Sequence, residues 1–119
     1  MINVTTEKEM IVSVDEDRIQ QVLINLISNA ITYCEENDAI EIRSYRENGA
    51  FRIDVMDNGP GINQEERENI FQKYYKKGNH QGTGLGLAIC KAIIEAHNGK
   101  IGVQENKPKG SIFYFTLNP

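Results

Sequence analysis

The sequence predicts an α+β fold, a two-layer sandwich in which a mixed, mostly antiparallel sheet of about five strands is covered on one face by three helices. Three observations predict it. Strand-type alternation comes in pairs joined by turn signals, which gives antiparallel hairpins. Two stretches carry apolar residues at helical spacing. The resulting order, β-β-α-β-β-α-loop-α-β-β, leaves the helices one place to bury their apolar stripes, against one side of the strands.

The elements follow in order. Ile2 to Val4 and Met10 to Val14 read as short strands around a polar connection from Thr5 to Glu9. Asp15 or Asp17 caps the next helix, whose stripe is Ile19, Val22, Leu23, Leu26, Ile27 and Ala30, and Glu36, Asn37 and Asp38 end it. Ile40 and Ile42, then Phe51, Ile53 and Val55, alternate with Glu41, Arg43, Arg52 and Asp54, a hairpin with Asn48-Gly49 as its tight turn. Asn63 caps a short helix running to Ile70, and Tyr74 to Gly82 reads as loop. Leu85 to His97 is an apolar helix closed by Asn98-Gly99. Ile101 and Val103, then Phe113, Phe115 and Leu117, form a second hairpin through Lys107 to Gly110.

A chain of 119 residues suits one domain, here residues 1–119, and is too short for two. A net charge of −4 with no basic run or basic helix face gives no basis for nucleic-acid binding. Cys34 and Cys90 sit in helical contexts without a Cys-x-x-Cys pattern, and are expected to be reduced core thiols of a cytosolic protein. No signal peptide and no membrane-spanning apolar run is present, so no direct membrane contact is expected of this domain.

Three stretches carry chemistry. On the first long helix Gln21, Asn25, Asn29 and Thr32 form a stripe of short polar side chains beside the apolar one, and no Glu, Lys or Arg occurs from residue 19 to 34. Asn is a mediocre helix former because its amide competes for backbone hydrogen bonds. The stripe is either a solvated face or a place where something polar is held. Asp57 continues the inward series of Phe51, Ile53 and Val55, so a carboxylate points to the core side at a strand end. Such a charge needs good hydrogen bonds. Either the exocyclic amine of adenine supplies one, with Gly59 and Gly61 admitting a flat ring, or the residue closes its own Asx-turn. Gly82, Gly84 and Gly86 leave backbone N–H groups bare before a helix, which suits phosphate or a packed hinge. This spacing is neither a P-loop nor a dinucleotide fingerprint. Phe71, Tyr74 and Tyr75 lie between the two glycine motifs, with Lys73, Lys76 and Lys77 available to phosphate or to solvent.

Asn25-x-x-x-Asn29, Asp57-x-Gly59-x-Gly61-Ile62, Ile70-Phe71 with Tyr74-Tyr75, and Gly82-Thr83-Gly84-Leu85-Gly86-Leu87 occur in that order. The ordered set resembles the catalytic and ATP-binding domain of bacterial sensor histidine kinases, of the wider family that includes gyrase, the Hsp90 chaperone and MutL, with a Bergerat-type ATP-binding fold. With its flanking strands the likeness covers nearly the whole chain.

The resemblance implies roles. Asn29 would coordinate Mg²⁺ bridging the phosphates of ATP, with Asn25 assisting one turn earlier, and these two are the expected catalytic residues. Asp57 would take the adenine amine, with Gly59, Gly61, Ile62 and Tyr33 shaping the base pocket. Gly82, Thr83, Gly84, Leu85, Gly86 and Leu87 would hold the phosphates under a lid that includes Tyr75 and Lys76. Hydrolysing and serine-directed relatives carry Glu at the position of Asn25. An amide cannot act as that base, whereas neutral imidazole is already nucleophilic, so Asn25 favours transfer to histidine.

Three departures bear on phosphate binding: Thr32 where Lys or Arg is usual, a short lid without Arg, and Asn98 in place of a Gly. His80 and His97 lack the pattern of a phosphoacceptor and are expected in loop and capping roles. The expected protein is therefore an excised cytoplasmic domain of a membrane-anchored sensor kinase. Its partners would be a phosphoacceptor histidine on a dimerisation domain and a response regulator. An ATP-hydrolysing relative and a nucleotide-binding interaction module are the alternatives.

Overall fold

A computed structural model describes residues 2–6, 14–34, 38–72 and 86–118. The elements are β1 (Ile2–Thr6), α1 (Glu16–Tyr33), β2 (Ile40–Glu47), β3 (Ala50–Asp57), α2 (Gln64–Asn69), α3 (Gly86–Ala96), β4 (Lys100–Glu105) and β5 (Ser111–Leu117). The five strands form one sheet in the order β1-β2-β3-β5-β4. β1 runs parallel to β2, across the α1 connection, and every other pairing is antiparallel. The strand expected over Met10 to Val14 falls on residues 10–13, outside the described residues, and Val14 leads directly into α1.

Local chemistry sets the boundaries. Asp15 caps α1, its Oδ1 accepting from the Arg18 N–H at 3.3 Å, and Glu16 and Asp17 in the first turn complement the helix N-terminus. The helix ends at Tyr33, ahead of the expected stop at 36–38. Asn63 caps α2 in the same way, at 2.8 Å from the Glu66 N–H. Asn48 and Gly49 both take positive φ, 52° and 81°, the conformation a two-residue hairpin turn needs to match strand twist. Asn98, at φ 60°, closes α3, and the Gly99 N–H returns to the Ile94 carbonyl at 2.9 Å. His97 ties this end to α1: its Nδ1–H donates to the Ile93 carbonyl at 2.8 Å and its Nε2 accepts from the Asp15 N–H at 3.0 Å. Both ring nitrogens are thus engaged.

The core lies between α1, α3 and one face of the sheet. Val22, Leu26 and Ala30 of α1 and Cys90 and Ile94 of α3 meet Ile53 and Val55 of β3 and Phe113, Phe115 and Leu117 of β5. α2 buries none of its own residues. Its link to the core runs through buried Ile70 and through Phe71, whose ring meets Phe113 edge-on at 6.4 Å.

On the opposite face, where alternation places Arg52 and Asp54, both charges are buried. Arg52 Nε donates to Asp54 Oδ1 at 2.7 Å and the Tyr45 hydroxyl donates to Asp54 Oδ2 at 2.9 Å. The other guanidinium nitrogens reach Glu47 and Gln104, and the group lies 4.1 Å from the centre of the Tyr114 ring. Tyr114 in turn crosses Gly102, where a Cβ would stand 2.5 Å from its hydroxyl oxygen.

Candidate functional site

The site begins at the end of β3. Asp57 pairs in register with Ile40 of β2 on one side and Ser111 of β5 on the other, so its backbone is held in the middle of the sheet. Its side chain is 5% exposed, and Oδ1 accepts from the Gly59 N–H at 3.0 Å and the Ser111 N–H at 3.2 Å. The Asx-turn bond read as an alternative in the sequence therefore exists, but it does not stand alone. Ser111 supplies a second donor from across the sheet. No local signal marks Ser111 as a site residue; only strand register brings it to Asp57.

The loop that follows is fixed at both edges. Asn58 Oδ1 accepts from the Ala39 N–H at 2.7 Å, which ties the loop to the start of β2. A Cβ on Gly59 would stand 3.3 Å from Asp57 Oδ1 and 3.5 Å from both Asp38 Oδ2 and Cys34 Sγ, so this bare backbone faces two carboxylates and a thiol. Burial, then the Asp57 and Asp38 charges, push the Cys34 thiol above its ordinary value. Gly61 takes φ +83°, and Ile62 beside it is buried in the core cluster.

α1 supplies the second half. Cys34, its C-cap, lies against the Gly59 loop, and Asn29 sits about 7 Å back along the axis. The Asn29 Nδ2 is buried and has no hydrogen-bond partner among the described residues. An unsatisfied buried amide costs about 1–3 kcal/mol, so its retention points to an absent acceptor. Asn25 Nδ2 makes a long 3.5 Å bond to the carbonyl of Gly86, which opens α3, and its side chain also hydrogen-bonds the Cys90 thiol. The helices also meet where Cys90 Sγ lies 3.8 Å from the Val22 carbonyl, and burial pushes that thiol up to about 11. Thr32 is exposed, and its hydroxyl turns back to the Ser28 carbonyl at 2.9 Å.

The structure thus brings Asp57, Gly59, Gly61 and Ile62 together at one end, with Asn25 reaching the start of α3 at the other. Gly86 has open space around its missing side chain, whereas Leu87 packs against the core. The Tyr33 side chain, the lid residues Tyr75 and Lys76, His80, and Gly82, Thr83, Gly84 and Leu85 lie outside the described residues. Chemically, a carboxylate braced by backbone N–H groups suits a planar amine. Carboxamides suit phosphate through their N–H groups and a hard cation through their oxygens. Among the described residues no group of three or more His, Cys, Asp or Glu is placed to hold a metal, and no helix is long and apolar enough to cross a membrane.

Residues 14–119 match the model of the histidine kinase-, DNA gyrase B- and HSP90-like ATPase family. The adaptive-response sensory kinase SasA of Prochlorococcus marinus is 41% identical over 108 residues, which cover 87% of this chain and 28% of that protein. The sensor protein KdpD of Clostridium acetobutylicum is 38% identical over 116 residues, covering 93% of this chain and 13% of that one. The chain therefore spans less than a third of the length of these curated relatives. The nucleotide-free catalytic domain of the histidine kinase ThkA superposes with a TM-score of 0.87 at 41% identity, over 98% of this chain and 77% of that one. ThkA in complex with the response regulator protein TrrA superposes at 0.79 and 38% identity, over 98% of this chain and 34% of that one.

Proposed function

Because the chain belongs to the histidine kinase-, DNA gyrase B- and HSP90-like ATPase family, we propose that it is the ATP-binding catalytic domain of a two-component sensor histidine kinase. It passes the γ-phosphate of Mg²⁺-ATP to a histidine on a separate dimerisation domain, for relay to an aspartate of a response regulator. The likeness to ThkA, seen with its regulator TrrA, supports the last partner.

The observation that carries this reading is the pairing of a braced, core-facing carboxylate with a carboxamide whose Nδ2 has no partner among the described residues, along one helix–loop junction. Asp57 takes the exocyclic amine of adenine, and the Gly59 and Gly61 backbone lets the ring lie close. Asn29 would donate to a phosphate oxygen through the Nδ2 that has no partner among the described residues, and its oxygen would help hold Mg²⁺. The ion, when bound, neutralises phosphate charge. Asn25 stands where a general base would be needed for hydrolysis, and an amide provides none. The residues at the phosphates therefore orient and neutralise, leaving the nucleophile to the acceptor imidazole. In this reading the domain works in the cytoplasm as part of a membrane-anchored sensor.

Calorimetric titration with a non-hydrolysable ATP analogue tests the site. Binding in the micromolar range that strengthens with Mg²⁺ and is lost in Asp57→Asn is expected, together with phosphorylation of a supplied histidine domain from ATP. Steady phosphate release without acceptor would favour a hydrolase instead. Thr32, turned back on its own helix, favours a second reading, an interaction module that binds nucleotide weakly. Absence of binding by the folded domain would bring that reading forward.

A further inference from the structure

We propose that Asn106 is a positioning residue for nucleobase recognition, holding the β4–β5 turn on the end of β3 and thereby fixing the Asp57 carboxylate against the base. The inference rests on the adenine reading of Asp57.

Among the described residues Asn106 makes three hydrogen bonds. Its Nδ2 donates to the Asp57 carbonyl at 2.8 Å, its Oδ1 accepts from the Lys107 N–H at 2.9 Å, and its own N–H donates to the Gly110 carbonyl at 3.0 Å. A carbonyl requires a donor and an N–H requires an acceptor, so the two side-chain partners fix which way the amide points. The turn thus closed sits backbone-on-backbone against the site. A Cβ on Gly110, at φ +107°, would stand 1.9 Å from the Asp57 carbonyl oxygen, and a Cβ on Gly61 would stand 3.2 Å from the Gly110 oxygen.

Side-chain packing does little to keep the turn there. Lys107, Pro108 and Lys109 are exposed, and the Lys107–Glu105 pair at 3.6 Å is too solvated to contribute much. Behind the turn a cleft of about 480 Å³ separates it from α2, with Asn63 and Glu66 on one wall and Glu105 and Pro108 on the other. What holds the turn onto β3 is therefore the Asn106 amide on one side of Gly110 and, on the other, Ser111, the last register partner of Asp57, whose N–H also reaches the carboxylate. These two groups grip the same residue, one at its main chain and one at its carboxylate. Loosening the first frays the last pair of the β3–β5 ladder, and the carboxylate loses one of the two backbone donors that aim it, keeping the Gly59 N–H alone of the pair.

The test compares ATP with inosine triphosphate, which lacks the exocyclic amine, in calorimetric titrations of the whole chain. The proteins are wild type, Asn106→Ala, and Asn106→Asp, which keeps an acceptor for the Lys107 N–H but loses the donor to Asp57. Both variants are expected to lose about tenfold in ATP affinity while inosine triphosphate binding changes by less than about twofold. The preference for the amine-bearing base then collapses while the shared ribose and phosphate contacts survive. An unchanged preference, parallel loss for both nucleotides, or loss of the folding transition in both variants would make Asn106 a turn residue only and overturn the inference. Equal binding of the two nucleotides by the wild type would overturn the adenine reading itself, and this inference with it.

Discussion

Asp54→Ala tests whether the charges buried on the helix-free face of the sheet act as one unit. Arg52 is 7% exposed and Asp54 3%, so neither is bathed in water that could replace a lost partner. The substitution removes the 2.7 Å acceptor of Arg52 Nε and the 2.9 Å acceptor of the Tyr45 hydroxyl together. Stripping one member from a buried pair costs about 3–5 kcal/mol, because the remaining charge stays desolvated. Here Glu47 and Gln104 still hold the far nitrogens of Arg52, which places the cost near the lower end, about 3 kcal/mol. Domains of this size have roughly 5–15 kcal/mol in total, so the melting temperature should fall by roughly 10–15 °C. Arg52→Met in the same background should recover most of that loss, since an apolar replacement for the whole pair is near neutral. Thermal and urea unfolding of both single variants and the double variant give the coupling energy directly. A cost below about 1 kcal/mol for Asp54→Ala, or strictly additive single effects, would refute the argument. Nucleotide affinity should stay unchanged, because the network faces away from α1.

Other outcomes follow from the site. Asp57→Asn retains an oxygen for the Gly59 and Ser111 N–H groups, so the domain should stay folded while ATP affinity falls by about 10–100-fold, read by calorimetry. Asn29→Ala removes a buried Nδ2 that has no hydrogen-bond partner among the described residues, so the nucleotide-free protein should lose no stability and gain up to about 1 kcal/mol in a melt, while ATP affinity drops more than about tenfold. Burial raises the Cys90 thiol from its ordinary 9.0 to about 11, so this group's contribution to stability is complete below about pH 9 and is lost as pH rises toward 11. At pH 8, mass spectrometry should find Cys90 alkylated at least about a hundredfold more slowly in the folded than in the denatured protein.

Much of the fold could be read from single residues because their effects are local. Asp15 and Asn63 cap helices, and Asn48-Gly49 and Asn98-Gly99 take left-handed backbone, from chemistry contained within a few positions of each. The inward parity of Asp57 followed from counting along one strand. What could not be read depends on partners far along the chain. Ser111 and Asn106 reach Asp57 only through the β3–β5 register, 54 and 49 residues away. Alternation correctly put Arg52 and Asp54 on the outer face, yet it carries no information on what covers that face; Tyr45 and Tyr114 do. The residue type of Asn29 hinted at a held group, but that its Nδ2 is buried without a partner among the described residues is a property of the packed structure. Ile62 and Leu87 show the opposite limit, since positions taken from motifs also belong to the core cluster or pack on it.

The bracing of Asp57 has a consequence for how binding and folding are linked. Its recess is assembled from Ala39, from Asn58 and Gly59, and from Asn106 and Ser111, three chain segments that meet only when β2, β3 and β5 are all zipped. A chain with the first hairpin formed but the last one still undocked has the carboxylate without the donors that orient it. Such a species would have no use for a nucleotide. Ligand then pulls on the fully closed sheet alone, adding RT ln(1 + [L]/Kd) to its stability and nothing to any intermediate. Affinity in this domain becomes a readout of whether the final strand has come home.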